Sequence, residues 1–198
     1  MKKLRVAIIG QGRSGFDIHA HLLMLMPNQF RVVAIADPLD GNRKRGQQAL
    51  GCDAYTDYHD LFKRDDLDLI VNATPSHLHV PVSLEILDAG FNAISEKPAA
   101  KAASEVDSLI AKQKKTGKMM AVFQQARFAP YFRQVKKLID SGIFGRTRQG
   151  TCSPDQRKFI CTFANPGCVV SCCSDLARFT LKRDEKNLAL FPRHAAII

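Results

Sequence analysis

The first two thirds of the chain alternate short apolar, mostly β-branched runs with longer stretches whose apolar residues recur at helical spacing. Leu4 to Ile9 is apolar at nearly every position, which predicts a strand covered on both faces, as parallel sheets require. An amphipathic stretch from about Ser14 to Met26 follows and ends at Pro27. Arg31 to Ala36 reads as a second strand, closed by Asp37-Pro38. A polar helix from about Asn42 to Leu50 stops at Gly51, a C-cap glycine. Ala54-Tyr55 makes a short third strand, and Asp57 caps a small helix running to Phe62. Leu67 to Ala73 is the fourth strand, His77 to Asp88 a helix closed by Gly90, and Phe91 to Ser95 the fifth strand. Ala102 to Lys115 is a long helix ending near Gly117, Lys118 to Gln124 a sixth strand, and Pro130 to Ser141 a further amphipathic helix stopped by Gly142 and Gly145.

Strand–helix units of this length need right-handed crossovers, so the strands lie parallel with helices on both faces. The pattern predicts an α/β, Rossmann-type doubly wound sheet in the order 3-2-1-4-5-6, with a ligand crevice where the order reverses between strands 1 and 4. Residues 1–125 form this domain, and 126–149 a connecting helix and the start of a second domain. After Gln149 the character changes. Residues 150–198 hold five of the six cysteines (Cys152, Cys161, Cys168, Cys172, Cys173) and show no sustained period of 2 or 3.6. They read as an atypical tail, truncated or off-frame, rather than as a domain.

Composition narrows the function. With 45% apolar and 24% charged residues the chain can fill an ordinary core. No apolar run approaches the roughly 18–20 residues of a membrane span. The run after Met1-Lys2-Lys3 breaks at Gly10, too short for a secretory signal. A cytoplasmic protein without a membrane partner is expected. The net charge of +10 raises the question of nucleic acid. Its basic residues cluster at Arg43-Lys44-Arg45 and along Lys101, Lys112, Lys114, Lys115 and Lys118 without interleaved aromatics, so solvated helix faces are expected instead. Cys161, Cys168, Cys172 and Cys173 lack the C-x2-C hooks of zinc modules, and no metal is expected.

The chemistry begins at Gly10-Gln11-Gly12-Arg13-Ser14-Gly15, a G-x-G-x-x-G loop that follows a buried strand and opens a helix. In that setting Gly10 makes the tight turn, Gly12 lets a pyrophosphate approach the backbone, and Gly15 lets helix and strand pack closely. The helix N-terminus adds unpaired N–H groups, and Arg13 a positive charge. Asp37 lies about 20 positions further on, at the end of the second strand, where a carboxylate accepts from both ribose hydroxyls and repels a 2′-phosphate. Pro38 has no N–H to offer such a phosphate. NAD is the expected cofactor, with NADP the alternative because Arg43 and Lys44 are close in sequence.

Three further motifs sit at the ends of later strands: Asn72-Ala73-Thr74-Pro75 followed by Ser76-His77-Leu78-His79, then Glu96-Lys97-Pro98, then Gln124-Gln125-Ala126-Arg127-Phe128-Ala129-Pro130. With the glycine loop, this set resembles the Gfo/Idh/MocA family of oxidoreductases over about residues 4–149. The resemblance implies that Thr74 and Pro75 line the dinucleotide crevice and that His79 is a cofactor contact. It implies that Lys97 reaches the nicotinamide ribose and the substrate hydroxyl as the catalytic residue, with Glu96 also at the cofactor. Arg127 and Phe128 match the stretch that borders the active site. It implies oxidation of a sugar, cyclitol or related polyol by hydride transfer, and a second domain with an open antiparallel sheet, the dimer interface and an Asp-x-x-x-His pair. No such pair follows Gln149, where the only histidine is His194. That second domain and its dimer interface are therefore expected to be missing or only begun, and the chain by itself to turn over no polyol. The alternatives are a non-catalytic nucleotide-binding fragment and a protein-interaction module on the same fold.

Overall fold

The computed structural model describes residues 2–142 and the strands Gly150–Cys152, Lys158–Phe163, Cys168–Cys173 and Phe179–Arg183. The chain divides into two units, Met1–Gln124 and Gln125–Ile198.

In the first unit, β1 (Leu4–Ile9), β2 (Phe30–Ala36), β3 (Asp53–Tyr55), β4 (Leu69–Asn72), β5 (Asn92–Ser95) and β6 (Met120–Val122) form one sheet. Its order is β3-β2-β1-β4-β5-β6 and every neighbouring pair is parallel. This is the doubly wound order read from the sequence. The reason lies in β1, whose residues feed two cores in turn. Ala7 and Ile9 join the cluster of Ile70, Val82 and Ile86, while Val6 and Ile8 join that of Ile35, Val71 and Leu23. A strand covered on both faces has no position left for a polar residue, and Val6 to Ile9 are all buried. The register between β1 and β2 slips once, leaving Val33 unpaired between Val32 and Ala34.

The helices are α1 (Arg13–Ala20, wound as a π-helix, then His21–Met24), α2 (Asp40–Leu50), α3 (His79–Asp88) and α4 (Ala103–Thr116). A 3₁₀ segment, Tyr58–Lys63, starts at Asp57, whose carboxylate accepts from the His59 N–H at 3.0 Å. One boundary moved for a clear reason. The helix expected from His77 opens as a 3₁₀ turn, Ser76–Leu78, and α3 proper starts at His79. The buried Asn72 amide donates to the His79 carbonyl and to Ser83 Oγ, both at 3.0 Å, and so fixes where the α-turns begin.

In the second unit, a 3₁₀ turn (Gln125–Phe128) leads into α5 (Pro130–Asp140), with Pro130 at its first position. Four strands follow: β7 (Gly150–Cys152), β8 (Lys158–Phe163), β9 (Cys168–Cys173) and β10 (Phe179–Arg183). They pair antiparallel in the order β10-β9-β8-β7. The expectation that this stretch lacks strand alternation is corrected. The register places Cys152, Cys161, Val170 and Leu181 in one row, and Phe159, Cys172 and Phe179 in a second row of the same face. Thr151, Thr162, Val169 and Lys182 form a row of the opposite face. The alternation is real but short, three to six residues per strand, and runs such as Cys168-Val169-Val170 hide it until strands are aligned. Among the described residues no helix is long and apolar enough to cross a membrane.

Candidate functional site

Because the first sheet is parallel, every strand presents its carboxyl end at the same edge, and the motifs gather there. The glycine loop leaves β1 with Gly10 at φ +86°. A Cβ on Gly10 would lie 2.6 Å from the Ala73 carbonyl oxygen, and one on Gly15 only 1.8 Å from the Gly10 carbonyl oxygen. Both glycines are demanded by the fold itself. Gly12 is different. Its φ of −73° suits any residue, and a Cβ there would meet nothing within 4 Å. Neither strain nor packing within the described chain explains a glycine at 12, whereas a pyrophosphate laid against the backbone does. The loop therefore fits a dinucleotide. Gln11 is fully buried, donates to the Gly10 carbonyl at 3.2 Å, and leaves its Oε1 without a partner. Ser14 is half-buried and Arg13 exposed.

Asp37 stands beside the loop at the end of β2, almost buried. Its Oδ2 accepts from the Gln11 N–H at 2.7 Å and from Asn42 Nδ2 at 3.1 Å, and its Oδ1 from the Leu39 N–H at 2.8 Å. A carboxylate has about four lone-pair directions, so Oδ1 keeps one for a further donor. The cations weighed as 2′-phosphate ligands are engaged elsewhere. Arg43 donates to the carbonyls of Asp37 and Pro38, both at 2.8 Å, and to Asp40 at 3.2 Å. Lys44 pairs with Asp40 at 2.8 Å. Arg45, expected from the sequence only as part of a solvated basic cluster, donates to the Gln11 carbonyl at 2.6 Å and stacks over Phe16 at 4.2 Å, bracing the loop.

At the end of β4, Thr74 donates through its N–H (3.3 Å) and Oγ1 (2.6 Å) to Asn72 Oδ1, while Pro75 is exposed. His79 lies inside. Its Nδ1 faces the Pro98 carbonyl at 2.7 Å and its Nε2 the Thr74 carbonyl at 3.0 Å. A neutral ring can donate to only one of them. The buried ring thus lies between the Thr74-Pro75 and Lys97-Pro98 turns.

At the end of β5, Glu96 is buried and Lys97 exposed. Glu96 Oε1 lies 3.0 Å from His19 Nε2, and Glu96 Oε2 accepts from the Lys97 N–H at 3.1 Å. Burial pushes the His19 ring below the usual histidine range, against the pull of Glu96. His19 was missed by motif reading; its signal was a histidine on the buried stripe of α1, shared with Gly15 and Leu23. Arg127 belongs to the second unit, exposed on the turn Gln125–Phe128.

A cavity of about 270 Å³ opens at the opposite edge of the sheet, lined in part by Arg5, Cys52, Asp53, Arg64 and Asp66. Its Arg5 and Arg64 are paired with Asp68, Asp53 and Asp66. Burial pushes the Cys52 thiol up to about 11, which leaves no thiolate for nucleophilic chemistry. Among the described residues no group of histidine, cysteine and acidic side chains is arranged to hold a metal.

Comparison with known proteins agrees with this geometry. The family described as "Oxidoreductase family, NAD-binding Rossmann fold" matches residues 4–124. The inositol 2-dehydrogenase/D-chiro-inositol 3-dehydrogenase of Lactiplantibacillus plantarum is 32% identical over 145 residues, 72% of this chain and 41% of that protein. The inositol 2-dehydrogenase of Salmonella typhimurium is 25% identical over 202 residues, 98% of this chain and 60% of that protein. This second alignment continues through the cysteine-rich stretch. Among solved structures, the WlbA dehydrogenase of Bordetella pertussis in complex with NADH and UDP-GlcNAcA superposes with a TM-score of 0.69 at 27% identity, covering 74% of this chain and 44% of that one. The chain thus spans about two fifths of the length of the first of these relatives.

Proposed function

This chain belongs to the Gfo/Idh/MocA family of NAD-binding oxidoreductases, and from that premise we propose that it serves the oxidation of a cyclitol, sugar or related polyol hydroxyl by hydride transfer to NAD in the cytoplasm. The observation that carries the proposal is Gly12, open above its backbone at the edge that also holds Asp37 and Lys97. Gly10, Gln11, Gly12, Arg13, Ser14 and Gly15 would hold the pyrophosphate, and Asp37 the adenosine ribose through the lone pair left on Oδ1. Thr74 and Pro75 would border the crevice from the end of β4. Bound there, the dinucleotide supplies the hydride acceptor.

The chain's own groups do the rest. A carbinol that gives up a hydride must also give up its hydroxyl proton, and charge builds on that oxygen as it does so. The Lys97 ammonium, exposed at the strand end, would stabilise this charge. Its backbone is held by Glu96 Oε2, and the turn after it by His79. His79 and Glu96 are then positioning residues and Lys97 the catalytic one. NAD is favoured over NADP because Asp37 repels a 2′-phosphate while Arg43 and Lys44 are held by Asp40.

The test begins with binding. NADH should bind with a blue shift of nicotinamide fluorescence, and Gly12→Val should abolish it by filling the open space; unimpaired binding by that variant overturns the assignment of the loop. Turnover of inositol, glucose, xylose and gluconate with NAD then separates a catalyst from a binding module. Where turnover is found, Lys97→Ala should lower kcat by about 10²-fold or more, and an unchanged kcat would remove the lysine from the mechanism.

A further inference from the structure

The carboxyl edge contains a contact that the proposed reaction does not use. His19, on the helix that opens with the glycine loop, reaches across to Glu96, 77 residues further along the chain, with an Nε2 to Oε1 distance of 3.0 Å. Both side chains are at least nine-tenths buried. The ring also packs on Phe123 at 4.5 Å between centroids, and the Phe123 N–H donates to the Ser95 carbonyl at 2.8 Å. His19 is thus wedged among the helix of the loop, the end of β5 and the end of β6. The other Glu96 oxygen accepts from the Lys97 N–H. Two hydrogen bonds in series therefore run from the glycine-loop helix through one carboxylate to the backbone of the lysine.

We propose that His19 is a positioning residue: through Glu96 it ties the helix of the glycine loop to the Glu96-Lys97-Pro98 turn, so that filling the loop and placing the lysine are one coupled event. Three features support the assignment. A buried histidine–carboxylate pair loses two hydration shells and adds little net stability against an apolar pair of the same volume, so what it contributes is geometry. Burial disfavours the charged ring against the pull of Glu96, and the 3.0 Å contact aims one ring nitrogen at one carboxylate oxygen. Among the described residues the Glu96 carboxylate has two partners, His19 and the Lys97 N–H, so losing the His19 bond leaves a buried oxygen without that donor and frees the carboxylate to swing. The inference rests on the functional reading above only for the identity of the ligand.

The experiment compares the full chain with His19→Gln, which keeps an N–H donor at similar reach, and His19→Leu, which keeps the volume without a donor. Lysines carrying ¹³C-dimethyl groups are followed by NMR, with the Lys97 signal assigned from Lys97→Arg. Amide exchange at Lys97 is measured in the same samples without cofactor. NADH should shift the Lys97 signal in the unaltered chain and in His19→Gln but not in His19→Leu, whose NADH affinity should fall about tenfold. The Lys97 amide should exchange faster in His19→Leu than in His19→Gln even without NADH. Equal exchange in the two variants, or a full NADH-dependent shift in His19→Leu, overturns the proposal. Absence of NADH binding to the unaltered chain would defeat the functional reading, and the exchange comparison would still decide the tie. If His19→Leu does not fold, Glu96→Gln replaces it: faster Lys97 exchange supports the tie, and unchanged exchange refutes it.

Discussion

At the amino ends of the six parallel strands, charged side chains stay near the surface and pair while partly exposed. Arg5 meets Asp68 at 3.0 Å, and Arg64 meets Asp53 and Asp66 at 2.6 and 2.7 Å. At the carboxyl ends the polar groups go inside instead: Asp37, Asn72, His79, Glu96 and His19 are all buried, each bound to a neighbouring turn or helix. The sheet, the crossovers and the core are common to both edges, so neither folding topology nor packing explains the contrast. Exposed pairs add modest stability and are screened by water and salt. Buried polar contacts lose hydration, and they hold a loop in one geometry in return. The edge that takes on this cost is the edge that carries the glycine loop, Asp37 and Lys97. The difference sets the two ends of the sheet apart without reference to any relative.

Substitutions at the two edges should separate binding from stability. After the loss of binding expected for Gly12→Val, the next largest effect is expected for Gly15→Ala. A methyl 1.8 Å from the Gly10 carbonyl forces the loop open. Strain of about 1–3 kcal/mol, felt in the binding-competent form, should weaken NADH by about 10–100-fold in a fluorescence titration. Unchanged affinity would mean that the loop does not hold the cofactor. Next in size is Asp37→Ser, which removes the repulsion of a 2′-phosphate and the carboxylate oxygen that accepts from both Gln11 and Asn42. The NAD-to-NADP affinity ratio should fall by about tenfold or invert, a change of about 1.4 kcal/mol. A ratio that stays put would show that Asp37 does not set the preference.

The smallest effect belongs to the other edge. Arg5→Gln should leave the NADH affinity unaltered and change only the pH dependence of stability. The Arg5 guanidinium and backbone N–H hold the Asp68 carboxyl down at about 2, below its ordinary value. A carboxyl lowered on folding contributes stability that is present above its unfolded pKa of about 3.9 and lost as the pH falls through its folded value. Urea titrations between pH 5 and pH 2 should therefore show the unaltered chain losing its small advantage over Arg5→Gln as acid is added. An altered NADH affinity in this variant would break the contrast between the edges.

The parts of the first unit that local chemistry specifies were legible in the sequence. Apolar runs marked β1 and β2, and glycines ended α2 and α4 at Gly51 and Gly117, both left-handed. The second unit was harder. In β8 and β9, cysteine, valine and threonine adjoin one another, and only pairing Cys161 with Val170 and Cys152 shows which residues share a face. Period 2 over three to six residues is too short a signal to stand above such composition.

The site divides along the same line. By itself the sequence determined the glycine loop, the acid at the end of the second strand and the lysine motif at the end of the fifth, because each is a local pattern tied to the end of a strand. Only the tertiary structure decided that Arg43 is turned to the carbonyls of Asp37 and Pro38, that His79 lies between two turns, that Arg45 braces the glycine loop and that His19 reaches Glu96. Those roles depend on partners 5 to 77 residues away in the chain. A contact of that range exists only after the strands have been ordered, and the apolar periodicity that orders them carries no record of which polar groups will meet when they are.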